Sequence, residues 1–177
     1  MKKYLALIAM LIICGTANAG LITLSETQSQ TVAGENFVFN FSALAPSDGS
    51  GGVLEFLIRG DFTIGATLGE SFDFDVESVL SGSGIQATAS NLVTSFSSDD
   101  NLFKVSQSIS AADLNLLLND SLIVVNVDFA SGVNLNLSTA FITTSIQYND
   151  TLTSVPAPAS LILFGLGLVG FALSRRK

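Results

Sequence analysis

The chain has 177 residues with 15 acidic and seven basic side chains, no His and one Cys, which gives a formal net charge of −8 at pH 7. Five of the seven basic residues lie among the first three and last three positions, so residues 20–154 contain two cations and 15 acids, a net charge of −13. A surface with this charge repels nucleic acid, which excludes nucleic acid as a partner. Because His is absent, Ser-His-Asp and Cys-His catalysis and His-ligated metal sites are excluded.

Residues 1–19 have the three parts of a secretory signal peptide. Two lysines form the positive n-region, residues 5–14 form an apolar stretch, and Ala17 and Ala19 supply the small-x-small sequence before Gly20. The apolar stretch is too short for a helix that spans a bilayer. We therefore predict cleavage between Ala19 and Gly20 and export of the remaining chain.

Residues 20–150 are predicted to form one domain, followed by a short linker at 151–154. A domain of this length can bury a sufficient hydrophobic core. It contains no Cys, so no disulfide supports it despite the oxidising destination. Its stability must come from apolar packing.

Apolar residues alternate with polar ones along most of this domain, which predicts half-buried strands. In chain order the inward-facing sets are Phe37, Phe39 and Phe41; Leu54, Phe56 and Ile58; Phe72, Phe74 and Val76; Phe103 and Val105; Ile123, Val125, Val127 and Phe129; and Ile142, Thr144, Ile146 and Tyr148. Clusters of Gly, Ser, Asn and Asp predict turns at residues 45–52, 80–84, 97–101 and 130–133.

One helix is predicted, at residues 111–118. Ser110 can cap its N-terminus, Asp113 occupies the capping-box position, and three leucines form its apolar side. About eight strands with one short helix predict an all-β fold, a single antiparallel β-sandwich of jelly-roll type.

The strand predicted around residue 74 carries an acidic face. Asp73, Asp75 and Glu77 alternate along it, and alternate residues of a strand lie roughly 6.6 Å apart. A bound Ca²⁺ would relieve their repulsion, which makes them candidate calcium ligands. The favoured interpretation is a solvated face that is screened by salt and deters edge-to-edge aggregation. We therefore predict no cofactor and commit to no metal site.

The last 23 residues contain three consecutive signals. Val155, Pro156, Ala157 and Pro158 lead into an apolar run at 159–173, and the chain ends on a basic cluster. In lipid this run must be a helix, because its backbone polar groups have to pair internally. Residues 160–173 would span about 21 Å, less than the hydrocarbon core of about 30 Å, which indicates a short anchor.

The basic cluster consists of Arg175, Arg176 and Lys177, which would hold the end of the chain in the cytoplasm. This topology places the acidic domain on the far side of the inner membrane. A permanent single-pass anchor fits the topology alone, whereas a marginal anchor suits a temporary attachment.

The order of these segments resembles the PEP-CTERM sorting signal, which exosortase handles in Gram-negative bacteria. Val155, Pro156 and Pro158 match its Val-Pro-Glu-Pro start, with Ala157 in place of the usual Glu, and the Gly/Leu-rich stretch and basic end also match. The resemblance implies export, transient anchoring in the inner membrane facing the periplasm, cleavage near the Pro motif, and release to the cell surface or extracellular matrix. The implied partners are an exosortase-type protease and exopolysaccharide or matrix proteins.

We therefore expect a non-enzymatic exported surface or matrix protein of the kind found in biofilms. The alternative is a carbohydrate-binding or adhesion module, with or without calcium. Carboxylate pairs, or a Ser-Lys pair through Lys104, remain open as catalytic chemistry. The chain has no Trp, and Tyr148 is the only Tyr after residue 19, so aromatic platforms for a sugar-cleaving groove are few.

Overall fold

The computed structural model describes residues 20–65, 69–135 and 139–151. Leu21–Thr151 forms one compact unit. Residues 1–19 and 152–177 lie outside the described ranges. The predicted transmembrane helix therefore lies outside the described residues. Within the described ranges, no helix has the length and apolarity needed to cross a membrane.

The described residues contain nine strands and one short helix, which confirms the all-β prediction. The strands are β1 (Leu21–Ser29), β2 (Asn36–Ser42), β3 (Ser47–Asp61), β4 (Phe72–Val76), β5 (Leu80–Ile85), β6 (Leu92–Ser95), β7 (Asp100–Ile109), β8 (Leu122–Phe129) and β9 (Phe141–Asp150), and helix α1 (Ala111–Leu117) connects β7 to β8.

The strands form two sheets in which every pairing is antiparallel. The five-stranded sheet has the order β1-β9-β3-β7-β6, and the four-stranded sheet has the order β2-β8-β4-β5. The pairs are nested: the first strand lies beside the ninth, the second beside the eighth, the third beside the seventh and the fourth beside the fifth, with β6 added at an edge. This is the pairing of a jelly roll, as predicted.

The inner faces of the two sheets carry the alternating apolar sets that the sequence predicts. All of those side chains are buried except Val105, which is partly buried. Nine phenylalanines lie in this core, and Phe72 is at its centre, with ring centroids of Phe56, Phe103 and Phe129 at 5.5, 6.3 and 6.4 Å. Tilted and edge-to-face arrangements of this kind are those that the aromatic quadrupole favours.

Helix α1 closes one end of the sandwich between β7 and β8. The Asp113 backbone N–H donates to Ser110 Oγ at 3.1 Å, and the Ser110 hydroxyl donates back to the Asp113 carboxylate at 2.7 Å. Leu114 and Leu117 are fully buried. The predicted helix and its cap are therefore confirmed, with Leu118 as the C-terminal cap residue.

Two of the predicted turns are wrong, and glycine packing explains both errors. Strand β3 already begins at Ser47, and a Cβ at Gly52 would lie 2.8 Å from the Gln147 carbonyl oxygen of β9. In β5, a Cβ at Gly82 would overlap the Phe74 ring. These glycines are needed for close approach within a sheet rather than for a change of chain direction. The turn predicted at 97–101 is shorter, because β7 begins at Asp100.

Three strands were not predicted, namely β1, β5 and β6. The inward side of β1 begins with Ile22 and Leu24 but continues with Glu26 and Gln28, so its hydrophobic alternation is incomplete. Strand β6 has only four residues, and its pairing with β7 is interrupted by a bulge. All three are short or polar edge strands of the kind that leaves a faint period-two signal.

Thr144 provides a test of the core. Its side chain is fully buried, and among the described residues its hydroxyl has no hydrogen-bond partner. We expect Thr144→Val to raise the free energy of unfolding by about 1 kcal/mol, because it removes an unsatisfied polar group without a large change of shape. Chemical denaturation measures this difference. Thr143→Val on the outer side of β9, where the hydroxyl contacts Thr27 Oγ1 at 2.7 Å, is the matched control and should change little. Equal effects of the two variants would contradict the interpretation.

Tyr148 makes stability depend on alkaline pH. Its buried hydroxyl donates to the Ala45 carbonyl at 2.9 Å, and burial, with a contribution from the Asp150 carboxylate, raises the pKa of the phenol. The unfolded chain releases this proton first, near pH 10, so stability is unaffected below that pH and falls as pH rises towards the higher native pKa.

We expect the unfolding free energy of the wild type to fall more steeply above about pH 10 than that of Tyr148→Phe, which has no phenol to ionise. Tyr148 is the only Tyr after residue 19, so ultraviolet absorbance of the phenolate in residues 20–154 reports on it alone. A native phenol that titrates at the same pH as the unfolded one would contradict this prediction.

Candidate functional site

The outer face of the four-stranded sheet holds two of the three candidate calcium ligands. Asp73 and Asp75 project from β4, directly opposite Asp128 and Asn126 of β8. Together with Phe74 they line a shallow depression of about 140 Å³, which we call the acidic depression. Facing side chains on neighbouring strands are within about 5.5 Å at Cβ, so the facing carboxylates repel each other.

The third candidate ligand, Glu77, is separated from this depression. Strand β4 ends at Val76, and Glu77 adopts a positive φ of 51° in the turn that follows. Its carboxylate accepts the backbone N–H of Val124 at 2.8 Å and continues the pairing with β8 beyond the end of the strand. The prediction that all three acids share one strand face is therefore wrong for Glu77.

The two remaining carboxylates also contact backbone donors. Asp73 Oδ1 accepts the N–H of Gly84 at 2.6 Å, and Asp75 Oδ1 accepts the N–H of Ser78 at 3.1 Å. Both bonds stabilise the β4–β5 hairpin. In the part of the chain that the structure describes, no group of three or more His, Cys, Asp or Glu side chains is arranged to hold a metal ion.

Sequence reasoning missed Asn126 and Asp128. Alternation along β8 places both on the outer side, opposite the buried Val125, Val127 and Phe129. What the sequence does not reveal is that β8 pairs with β4, since the two strands are far apart in the chain. The sequence therefore indicates which side of β8 these two residues occupy, but it does not indicate that β4 is the neighbouring strand.

The outer face of the five-stranded sheet carries the two cations of the domain, each in an ion pair. Arg59 donates to Asp100 through Nε at 3.0 Å and Nη2 at 2.7 Å, and these bonds raise the pKa of the guanidinium. Lys104 Nζ lies 2.6 Å from a Glu55 carboxylate oxygen. The Arg59 Cζ also lies 4.0 Å from the centroid of the Phe96 ring, a cation–π contact.

The predicted signal cleavage site directly precedes β1, and the predicted linker to the sorting motif directly follows β9, the strand that pairs with β1. Leu21, just after the predicted signal cleavage, pairs with Asn149 at the end of β9. The last described residue, Thr151, donates its backbone N–H to the Pro46 carbonyl at 3.0 Å. Apart from Gly20, the residues of the signal cleavage site, the sorting motif and the basic cluster lie outside the described residues.

The described β-sandwich is followed by a tail with the sequence features of a C-terminal sorting signal, which is the arrangement expected of an exported, sorted protein. Residues 154–177 match the PEP-CTERM protein-sorting motif. The chain is therefore a PEP-CTERM domain-containing protein, and this motif implies export, transient anchoring in the membrane and processing by exosortase, a membrane protease. The resemblance stated from the tail sequence is thus confirmed.

A comparison with curated proteins gave no match. Among solved structures, the chain is similar to dimeric latent PorU from Porphyromonas gingivalis, with 12% sequence identity and a TM-score of 0.34. The match covers 77% of this chain and 14% of the PorU chain.

Proposed function

We propose that this protein is a non-enzymatic component of the cell surface or extracellular matrix, associated with exopolysaccharide. The observation that carries the proposal is the PEP-CTERM motif at residues 154–177, which commits the chain to export and sorting. A strongly acidic, cysteine-free sandwich is suited to remaining soluble in an extracellular medium.

The state of the charged side chains supports a non-enzymatic role. A Ser-Lys mechanism requires a neutral amine, whereas the Lys104 ammonium is paired with Glu55 on a sheet face. The carboxylates of Asp73 and Asp75 accept backbone hydrogen bonds within a hairpin. These contacts favour structural roles for Asp73, Asp75 and Lys104 over roles in proton transfer.

Export requires a signal, and we propose that residues 1–19 supply it and are removed between Ala19 and Gly20. Mass spectrometry of the protein recovered from membranes, matrix and medium tests this together with tail processing. We expect a matrix form that begins at Gly20 and ends near the sorting motif. Intact chain in the cytosol with residues 1–19 attached would contradict the proposal.

Processing of the tail is tested by the double substitution Pro156→Ala and Pro158→Ala, which alters the sorting motif but leaves the apolar run intact. We expect the variant to accumulate in the membrane fraction with its tail attached. Undiminished release of the variant into the matrix would contradict the proposed role of the motif.

A second candidate function is glycan binding at the acidic depression, with or without Ca²⁺. The specific observation that favours it is the clustering of Asp73, Asp75, Asn126 and Asp128 on one open face, because carboxylate and amide groups pair well with sugar hydroxyls. Binding of calcium would have to draw these oxygen atoms closer together, because no group of three acidic side chains among the described residues is already arranged to hold a metal ion.

Calorimetry of residues 20–154 with matrix polysaccharide, with and without EDTA, tests this second function. We expect saturable heat that Asp128→Asn reduces, while Asp48→Asn, an exposed site at the start of β3, leaves it unchanged. An effect of EDTA would assign a role to calcium. Absence of saturable heat would contradict glycan binding at the acidic depression. It would not bear on the proposed matrix location, which the mass spectrometry of membrane, matrix and medium fractions tests.

A further inference from the structure

The two outer faces of the sandwich differ in charge. The acidic depression, on the four-stranded sheet, has three aspartates, and neither cation of the domain lies on that sheet. On the five-stranded sheet the two cations form ion pairs with Glu55 and Asp100, so these charges cancel locally. The five-stranded sheet therefore presents the more balanced of the two faces on a domain with a net charge of −13.

The same balanced face also exposes apolar side chains. Val53 on β3 is 37% exposed and Phe96 at the β6–β7 turn is 53% exposed. Leu57, Leu102 and Phe141 are half-buried on the outer side between them. Apolar contact area is therefore available where electrostatic repulsion is weakest.

Ion pairing holds the polar part of this face in place. Asp100 is held by two bonds from Arg59, and its carbonyl accepts the Phe96 backbone N–H at 2.8 Å. The Phe96 ring stacks on the Arg59 guanidinium. An aromatic ring fixed in this way loses little side-chain entropy when it is covered by a partner.

The size of the face suits a dimer. The five strands are spaced by about 4.8 Å and, apart from the four-residue β6, are about nine residues long or longer, so the face measures roughly 24 by 30 Å at its widest. Two such faces in contact would bury on the order of 1,400 Å², within the range of about 1,200–2,000 Å² for specific interfaces.

We propose that two copies of this protein associate through the outer faces of their five-stranded sheets. The proposed occupant is a second copy: repulsion between two bodies with a net charge of −13 is weakest where the charges are paired, and the area of the face matches that of a specific dimer interface. In a two-fold arrangement the same patch serves both copies, so its opposite charges can face each other across the interface. Association strengthens as salt rises, since salt screens the repulsion between the remaining acidic surfaces.

Sedimentation equilibrium of residues 20–154, which contain every described strand, the helix and the core, tests the interface. Val53→Asp places a charge on the proposed interface, and Val38→Asp places the same charge on the other sheet, where Val38 is 46% exposed. We expect the wild type to dimerise, Val53→Asp to weaken the dimer tenfold or more, and Val38→Asp to have an effect of less than about threefold. Circular dichroism verifies that both variants fold.

Cysteine cross-linking provides a second measurement, because the domain has no native Cys. Ser106 on β7 flanks the central strand β3 of the proposed interface, whereas Ser81 on β5 lies on the opposite sheet, and both side chains are exposed. A short bis-maleimide should link Ser106→Cys copies into dimers and leave Ser81→Cys monomeric.

A wild type that stays monomeric at high protein concentration and high salt would overturn the inference, as would equal weakening by both aspartate variants. Preferential cross-linking of Ser81→Cys would also overturn it. If the wild type is monomeric and Val53→Asp instead abolishes binding to polysaccharide, the face binds a glycan and the dimer is wrong. None of these results changes the assignment of export and sorting.

Discussion

Phe72→Ala should lower the free energy of unfolding by about 3–5 kcal/mol, the usual range for removing a buried phenylalanine. Phe72 is fully buried on β4 and lies among the rings of Phe56, Phe103 and Phe129. Its loss removes contacts with both sheets at once and leaves a cavity that close-packed rings cannot fill. Since a domain of this size is stable by about 5–15 kcal/mol, the variant should unfold at much lower denaturant concentration.

Phe96→Ala is the matched control, because it makes the same chemical change at a side chain that is 53% exposed. Its ring contributes a cation–π contact with Arg59, so we expect a loss of no more than about 1 kcal/mol. Urea denaturation of residues 20–154 at low protein concentration compares the two variants. Similar losses at both positions would mean that the aromatic core does not hold the two sheets together.

The sequence predicts the core well because a sandwich buries one side of each strand. Alternation in Phe37, Phe39 and Phe41 has only one consistent explanation, a strand with an apolar inner face. The same rule works for the inward side of β8. Local chemistry also predicts helix α1, since its cap and its apolar side are adjacent in the chain.

Prediction fails where a residue's role depends on a distant neighbour. Glycine in a strand and glycine in a turn look alike in the sequence, and only the position of the Phe74 ring reveals why residue 82 has no side chain. The edge strands were missed for a related reason, because a polar edge is stabilised by its pairing partner rather than by its own pattern.

The candidate site shows the same division. Alternation places Asp73 and Asp75 on the outer face, as the structure has them. The presence of Asp128 opposite Asp73 depends on which strand pairs with β4, and this is set by the nested topology of the whole chain. Glu77 lies off the strand face because β4 ends at Val76 and the turn of the hairpin begins at Glu77. A strand one residue longer would have kept it on that face, and the sequence pattern does not fix a strand end to one residue.

Replacing Arg175, Arg176 and Lys177 with alanine should reduce the amount of processed, released protein tenfold or more. These cations end the sorting tail, and moving one Lys or Arg into the bilayer centre costs about 2.5–3.5 kcal/mol. Without them the short apolar run has no barrier to complete translocation. The tail then passes the membrane before the protease can engage the sorting motif. Quantitative immunoblotting of membrane, matrix and medium fractions measures the processed and unprocessed chains.

A variant with lysine at positions 175 and 176 retains three positive charges and should be processed as well as the wild type if charge alone stops translocation. Loss of processing in this lysine variant would mean instead that the arginine side chains are recognised directly, since guanidinium binds bidentately and ammonium does not. Full processing of the alanine variant would contradict both mechanisms, because neither allows sorting without the terminal cations.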